Sequence, residues 1–164
     1  MKTTLLISCY VATVLARAGL VQRAGGPASV PKPDNCTIVD ALPNVGPLFS
    51  RTKPGQACEW QPSADFLAAS LLYQAYYTSS DTVEANWNQC IEQCYGYGTS
   101  GTCKSALLAY NVPIPKGYFG NTTRDVPNEI GCLLFKDYAT PLDFVPAPAG
   151  HYTNETAASV YCRT

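Results

Sequence analysis

Residues 86–103 read NWNQCIEQCYGYGTSGTC. Three cysteines fall in this stretch, at positions 90, 94 and 103, and their use decides the fold. Cys90 and Cys94 are four apart, so on a helix both sulfurs leave the same face. The preceding residues argue for that helix. Asp81-Thr82-Val83-Glu84 resembles a capping box with Asp81 as the cap. Val83, Trp87, Cys90, Ile91 and Cys94 then recur at helical spacing as one apolar stripe. Gly96 or Gly98 supplies a left-handed residue to end the helix. Two cysteines on the apolar face point at whatever sheet the helix covers, and each can bridge to a different strand or turn.

Metal and redox chemistry fit these cysteines poorly. Structural zinc sites favour duplicated C-x2-4-C pairs, whereas this chain has one C-x3-C and one histidine, His151, in a Pro/Gly-rich turn. No C-x-x-C occurs. No dense run of oxygen ligands suits calcium. No metal or cofactor is expected.

Outward from the helix, the chain divides into regions. Residues 1–18 have a basic start, an apolar run from Leu5 to Leu15 and an Ala16-Arg17-Ala18 triplet, the layout of a cleaved secretory signal peptide. No stretch reaches the roughly 20 apolar residues of a membrane span, and the C-terminal ASVYCRT lacks the tail of a lipid-anchor signal. Residues 19–35 are rich in Gly and Pro and read as a flexible arm. Residues 36–164 read as a single disulfide-rich domain.

Within it, FLAASLLYQAYY (66–77) fits helix and strand alike. After the helix the texture turns to β: SALLAYNV (105–112), with Ala106, Leu108, Tyr110 and Val112 on one face, then GCLLFKDY (131–138), DFVP (143–146) and ASVYC. A long Gly- and Pro-containing insertion, 113–130, separates the first two strands. The fold class expected is α+β, one main helix packed on a twisted antiparallel sheet.

Without Lys2 and Arg17 the acidic residues outnumber the basic ones, for a net charge of about −3. No basic run exists to neutralise phosphates, so nucleic acid is not an expected partner. Three N-x-S/T triplets, at Asn35, Asn121 and Asn154, mark surface glycosylation sites for a secreted chain. In an oxidising compartment the seven cysteines beyond Cys9 should be mostly disulfides. With one left unpaired, about a hundred pairings remain open.

The order of features resembles the PAN/apple domain: Cys90-Ile91-Glu92-Gln93-Cys94 on a helix, Cys103 at a strand entry, Tyr110 in the strand, then Cys132-Leu133-Leu134. The resemblance covers about residues 58–162. It implies bridges Cys94–Cys103 and Cys90–Cys132, with an outer pair joining the domain ends, Cys58–Cys162. Cys36 is then a free thiol or an intermolecular link; the other reading pairs Cys36 with Cys162 and leaves Cys58 over. The long insertion departs from the pattern. NWNQCIEQCYGYG and DFVPAPAGHY are also similar to stretches of Cys-rich secreted proteins of filamentous fungi.

Catalytic machinery is not evident. A nucleophile needs a base beside it, and His151 sits next to a sequon. Gly98-Thr99-Ser100-Gly101 lacks the spacing of a nucleophile elbow. Asp125, Glu129, Asp137 and Asp143 are scattered through loops and strand ends. The aromatics Tyr118 and Phe119, in a Gly-flanked turn, and Tyr95 and Tyr97, at the helix end, are candidate ligand contacts; the competing reading folds Tyr118 and Phe119 back onto the core. PAN/apple domains contact proteins and carbohydrates, so the function expected is a secreted, non-catalytic module that recognises extracellular carbohydrate or protein. The alternatives are an effector or inhibitor of a host protein and, third, a hydrolase.

Overall fold

The computed structural model describes residues 27–43, 59–77, 79, 81–99, 101–115, 117–118 and 129–162. The expected signal segment, Cys58, Phe119, Asn121 and Asp125 lie outside the described residues.

The ambiguous 66–77 segment is half helix and half strand. Ser63 caps a short helix, α1 (Ala64–Ser70), its hydroxyl accepting from the Phe66 N–H at 3.2 Å. At Leu71 the backbone turns extended and continues as strand β3 (Leu71–Tyr77). One apolar run serves both because Phe66 packs against Phe135, ring centroids 4.8 Å apart and tilted by 33°, while Leu71–Tyr77 runs along the sheet.

The main helix, α2 (Val83–Tyr95), forms as expected, with two local corrections. Its cap is Thr82, not Asp81: the threonine hydroxyl accepts from the Ala85 N–H at 3.2 Å. Its buried face runs through Asn86, Cys90, Ile91 and Cys94, while Val83 is 44% exposed. At the far end Gly96 has an ordinary right-handed φ of −79°, and the left-handed residue is Gly98, φ +64°. Gly96 serves by closeness, since a Cβ there would collide with the Ala28 carbonyl oxygen. The arm crosses at this point, with Val30 N–H donating to Glu92 O (3.2 Å) and the Ser29 hydroxyl to Glu92 Oε2 (2.6 Å). This part of the arm is seated on α2.

The chain is α+β. Strands β1 (Cys36–Asp40), β3, β4 (Ser105–Tyr110), β5 (Ile130–Phe135) and β7 (Thr153–Cys162) form an antiparallel sheet in the order β1-β7-β4-β5-β3. Two short strands, β2 (Trp60–Pro62) and β6 (Phe144–Pro146), pair separately. Helix α2 lies over β4 and touches β5 and β7 on either side.

The central strands are therefore covered on both faces. Ala106, Leu108, Cys132, Leu134 and Val160 pack under α2. Leu107, Ala109, Leu133, Phe135 and Ala157 pack on the opposite side with Phe66, Phe144 and Tyr152. This is why SALLAY shows no exposed face; each fully buried leucine contributes about 1.5–3 kcal/mol. The expected face of Ala106, Leu108, Tyr110 and Val112 stops at Tyr110. Asn111 takes a left-handed φ of +53°, and Val112 joins the opposite core. There Val112 occupies the space a side chain on Gly131 would need: a Cβ would lie 2.8 Å from Val112 Cγ2.

Among the described residues three disulfides form, two tying α2 to the sheet and one joining two strands within it. Cys90–Cys132 joins α2 to β5, and Cys94–Cys103 joins α2 to the entry of β4. The third differs from the outer pair the resemblance implies. Cys162 bonds Cys36 across β1 and β7, so Cys36 is neither free nor intermolecular and Cys162 is not available to Cys58. The register places Cys36 directly opposite Cys162, Cα atoms 4.0 Å apart, which brings their sulfurs together. In the chain-entropy picture closing 42- and 126-residue separations stabilises by about 4 and about 5 kcal/mol.

Two outcomes are expected. Gly131→Ala should lower stability by about 1–3 kcal/mol through overpacking, and Val112→Ala in the same chain should restore part of the loss, read from urea midpoints. Under limiting reductant, alkylation should label Cys36 and Cys162 first, because Cys162 is exposed whereas Cys90, Cys94, Cys103 and Cys132 are buried.

Candidate functional site

The tyrosines singled out in the sequence serve the fold. Tyr118 is half-buried; its hydroxyl donates to Gln74 O at 2.7 Å and its ring meets Tyr76 edge-on at 4.9 Å. Tyr97 is half-buried near Tyr73, its hydroxyl donating to Leu72 O at 3.4 Å. Tyr95 packs against the cystine-rich core under α2. Leu72 and Gln74 belong to the edge strand β3, so two of these side chains cap carbonyls that an edge strand would leave bare. Burial raises the hydroxyl pKa of Tyr76 and Tyr152, and raises that of Tyr77 to about 12.

The other sequence candidates are also placed. His151 lies in a turn, its N–H donating to Pro148 O at 3.0 Å. Asp137 accepts from the Ser70 hydroxyl at 2.7 Å, and Asp143 accepts from Thr140 N–H and hydroxyl at 2.8 and 2.7 Å. The Glu129 carbonyl accepts from Val112 N–H at 3.2 Å. Asn35 and Asn154 are both exposed. Among the described residues, no group of three or more His, Cys, Asp or Glu is placed to hold a metal, and no helix is long and apolar enough to cross a membrane.

What sequence reasoning missed is a groove beside α2. It encloses about 400 Å³ and is lined by Ile38, Asp40, Leu42, Trp87, Glu155, Thr156, Ala157 and Ala158. Its origin is geometric. Helix α2 sits over β4, so the outermost pair β7 and β1 extends beyond it. Where β1 ends, the small residues Thr156 and Ala158 form a floor between the helix and the strand edge. Trp87 lies one turn before Cys90 and Ile91, so its inner edge packs on the core while it also forms the helix-side wall. Asp40 and Ile38 supply the strand-side wall. Asp40 Oδ1 accepts from Leu42 N–H at 2.9 Å, which turns the chain away at the strand end.

Glu155 completes the site. It is half-buried, and Trp60 N–H donates to its Oε1 at 3.0 Å. Burial raises its pKa above the ordinary 4.5, the neighbouring Glu59 adds to the rise, and backbone hydrogen bonds partly oppose it. The two charged residues lining the groove, Asp40 and Glu155, are both acidic. A concave surface of this size, with one aromatic side chain and a lining that mixes apolar and polar groups, is the candidate ligand site among the described residues. Only Trp87 had a signal in the sequence, and there it read as part of the core stripe. Compared with family models, curated proteins and solved structures, the chain finds no match.

The raised carboxyl has a signed consequence. Its contribution to stability is fully present below the unfolded-state pKa and is lost as pH rises through the higher folded-state value. Glu155→Gln keeps an acceptor for Trp60 N–H and removes the charge. The variant is expected to lose less stability than the parent as pH rises from about 4 toward neutrality, measured as melting temperature against pH.

Proposed function

We propose that this chain is a secreted, non-catalytic recognition module of the PAN/apple kind that holds an extracellular ligand, carbohydrate or protein, in the groove between α2, β1 and β7. The observation that carries the reading is the groove itself. Its lining combines Trp87, the small residues Thr156, Ala157 and Ala158, and the acidic residues Asp40 and Glu155, in a disulfide-fixed frame. Trp87 offers a flat apolar surface with a polar N–H, the combination that suits both sugar rings and side-chain anchors.

Several features support the secreted and apple-like parts. Three disulfides suit an oxidising compartment. The two exposed sequon asparagines are reachable by glycosylation. Cys90–Cys132 and Cys94–Cys103 occupy the positions that the apple pattern implies. An inhibitor or effector acting on a partner protein is the second reading, favoured by the uncovered edge of β1, where Ile38 and Val39 are 38% and 47% exposed.

The test is binding of the secreted protein to a panel of wall polysaccharides and surface-protein extracts. Trp87→Ala should weaken retention by about tenfold or more, as truncation of a central aromatic anchor does, while the three bridges still form. Retention unchanged by Trp87→Ala would show that the groove is not the site.

A further inference from the structure

Strand β1 is a sheet edge whose outward groups can be assigned. Ala41 N–H donates to Ala157 O, Val160 N–H turns the other way to Lys104 O, and Cys36 lies only 4.0 Å from Cys162 in Cα distance. In an antiparallel ladder bonded and non-bonded pairs alternate. Thr37, Val39 and Ala41 therefore face β7, while Cys36, Ile38 and Asp40 turn their N–H and C=O outward. Cys36 is satisfied locally: its N–H donates to Pro33 O at 3.0 Å and its carbonyl accepts from Lys32 Nζ at 2.9 Å. Ile38 and Asp40 have no such cover among the described residues. β1 contains no lysine, proline or bulge, three of the devices that blunt an edge, and its one charged residue, Asp40, belongs to the groove. The opposite edge, β3, is capped by two tyrosine hydroxyls.

Ile38 and Asp40 also line the groove. The uncovered backbone and the acidic, Trp-walled cavity are thus one continuous surface. A sugar would use the cavity alone, whereas an extended peptide would use both: main-chain bonds along the edge give affinity, and a side chain in the adjoining pocket gives specificity. With Asp40 and Glu155 as the charged lining, the complementary side chain is cationic, and Trp87 provides a π face for it.

We infer that the ligand is an extended peptide segment that adds to β1 as a sixth strand, bonding the outward groups of Ile38 and Asp40, and places a lysine or arginine in the groove beside Trp87. This rests on the groove being the binding site. A glycan on Asn35 would be compatible, since five residues of strand set it about 17 Å from Asp40.

The test is selection from a displayed random heptapeptide library on the intact disulfide-bonded protein, with an oligosaccharide array run in parallel. Selected peptides should carry a basic residue flanked by β-branched ones. Their binding should fall about tenfold or more in Trp87→Ala and also fall in Asp40→Asn, whose side-chain carbonyl still accepts from Leu42 N–H. Hydrogen exchange should show the Ile38 and Asp40 amides slowing when peptide binds. Peptides without a basic preference, or binding that leaves those two amides unprotected, overturn the inference. Oligosaccharide binding that needs Trp87, with no peptide selected, overturns the inference but keeps the groove. Failure of both arms removes the groove as well.

Discussion

Everything in this molecule depends on how α2 is clamped to the sheet. Cys90 and Cys94 leave one helix face a turn apart and bond two different places, β5 and the entry to β4. One bridge would leave the helix free to pivot; two fix its direction across β4. The clamp is buried, with Cys90 and Cys132 both fully enclosed, so the bridges are part of the core they organise. The helix position in turn decides that β4 and β5 are covered on both faces, and that β7 and β1 protrude beyond α2. The groove is the consequence of that overhang, and Trp87 reaches it because it sits one turn ahead of the first clamped cysteine.

The two sheet edges are treated differently. On β3 the hydroxyls of Tyr97 and Tyr118 take the Leu72 and Gln74 carbonyls, so aromatic residues that could have been a binding platform serve as edge covers. On β1 the Cys36–Cys162 bridge anchors the start of the strand, and Lys32 and Pro33 satisfy its first residue. The later residues stay exposed. A strand held at its start, and without a partner on its outer edge further on among the described residues, is suited to accept another strand in register, because the bridge removes slippage between β1 and β7.

The sequence made the clamp legible because i, i+4 cysteines on an apolar stripe leave the same helix face, toward the sheet it covers. It also showed the β texture of 105–110 and 131–135, where continuous apolar runs need two covered faces. It misled where one residue type serves two ends. The resemblance implies Cys58 as the partner of Cys162, whereas strand register places Cys36 opposite it and the bridge forms there. The Asp81-to-Glu84 spacing points to Asp81 as the cap, but the chain enters the helix one residue later and the Thr82 hydroxyl takes the Ala85 N–H. Asn86 sits in the buried stripe where Val83 was expected, because its amide reaches the Asp81 carbonyl and the Tyr110 hydroxyl. The groove was not legible at all: Asp40 and Glu155 lie 115 positions apart, and only the β1–β7 pairing brings them to one cavity.

The most direct test of the helix clamp is a non-reducing peptide map of the intact, unreduced protein, with free thiols alkylated before digestion. The expected bridges are Cys90–Cys132, Cys94–Cys103 and Cys36–Cys162. Cys162 linked to Cys58 would break the assignment of the β1 edge. Cys90 and Cys94 bonded elsewhere, or recovered as alkylated thiols, would contradict the helix clamp on which the rest is built.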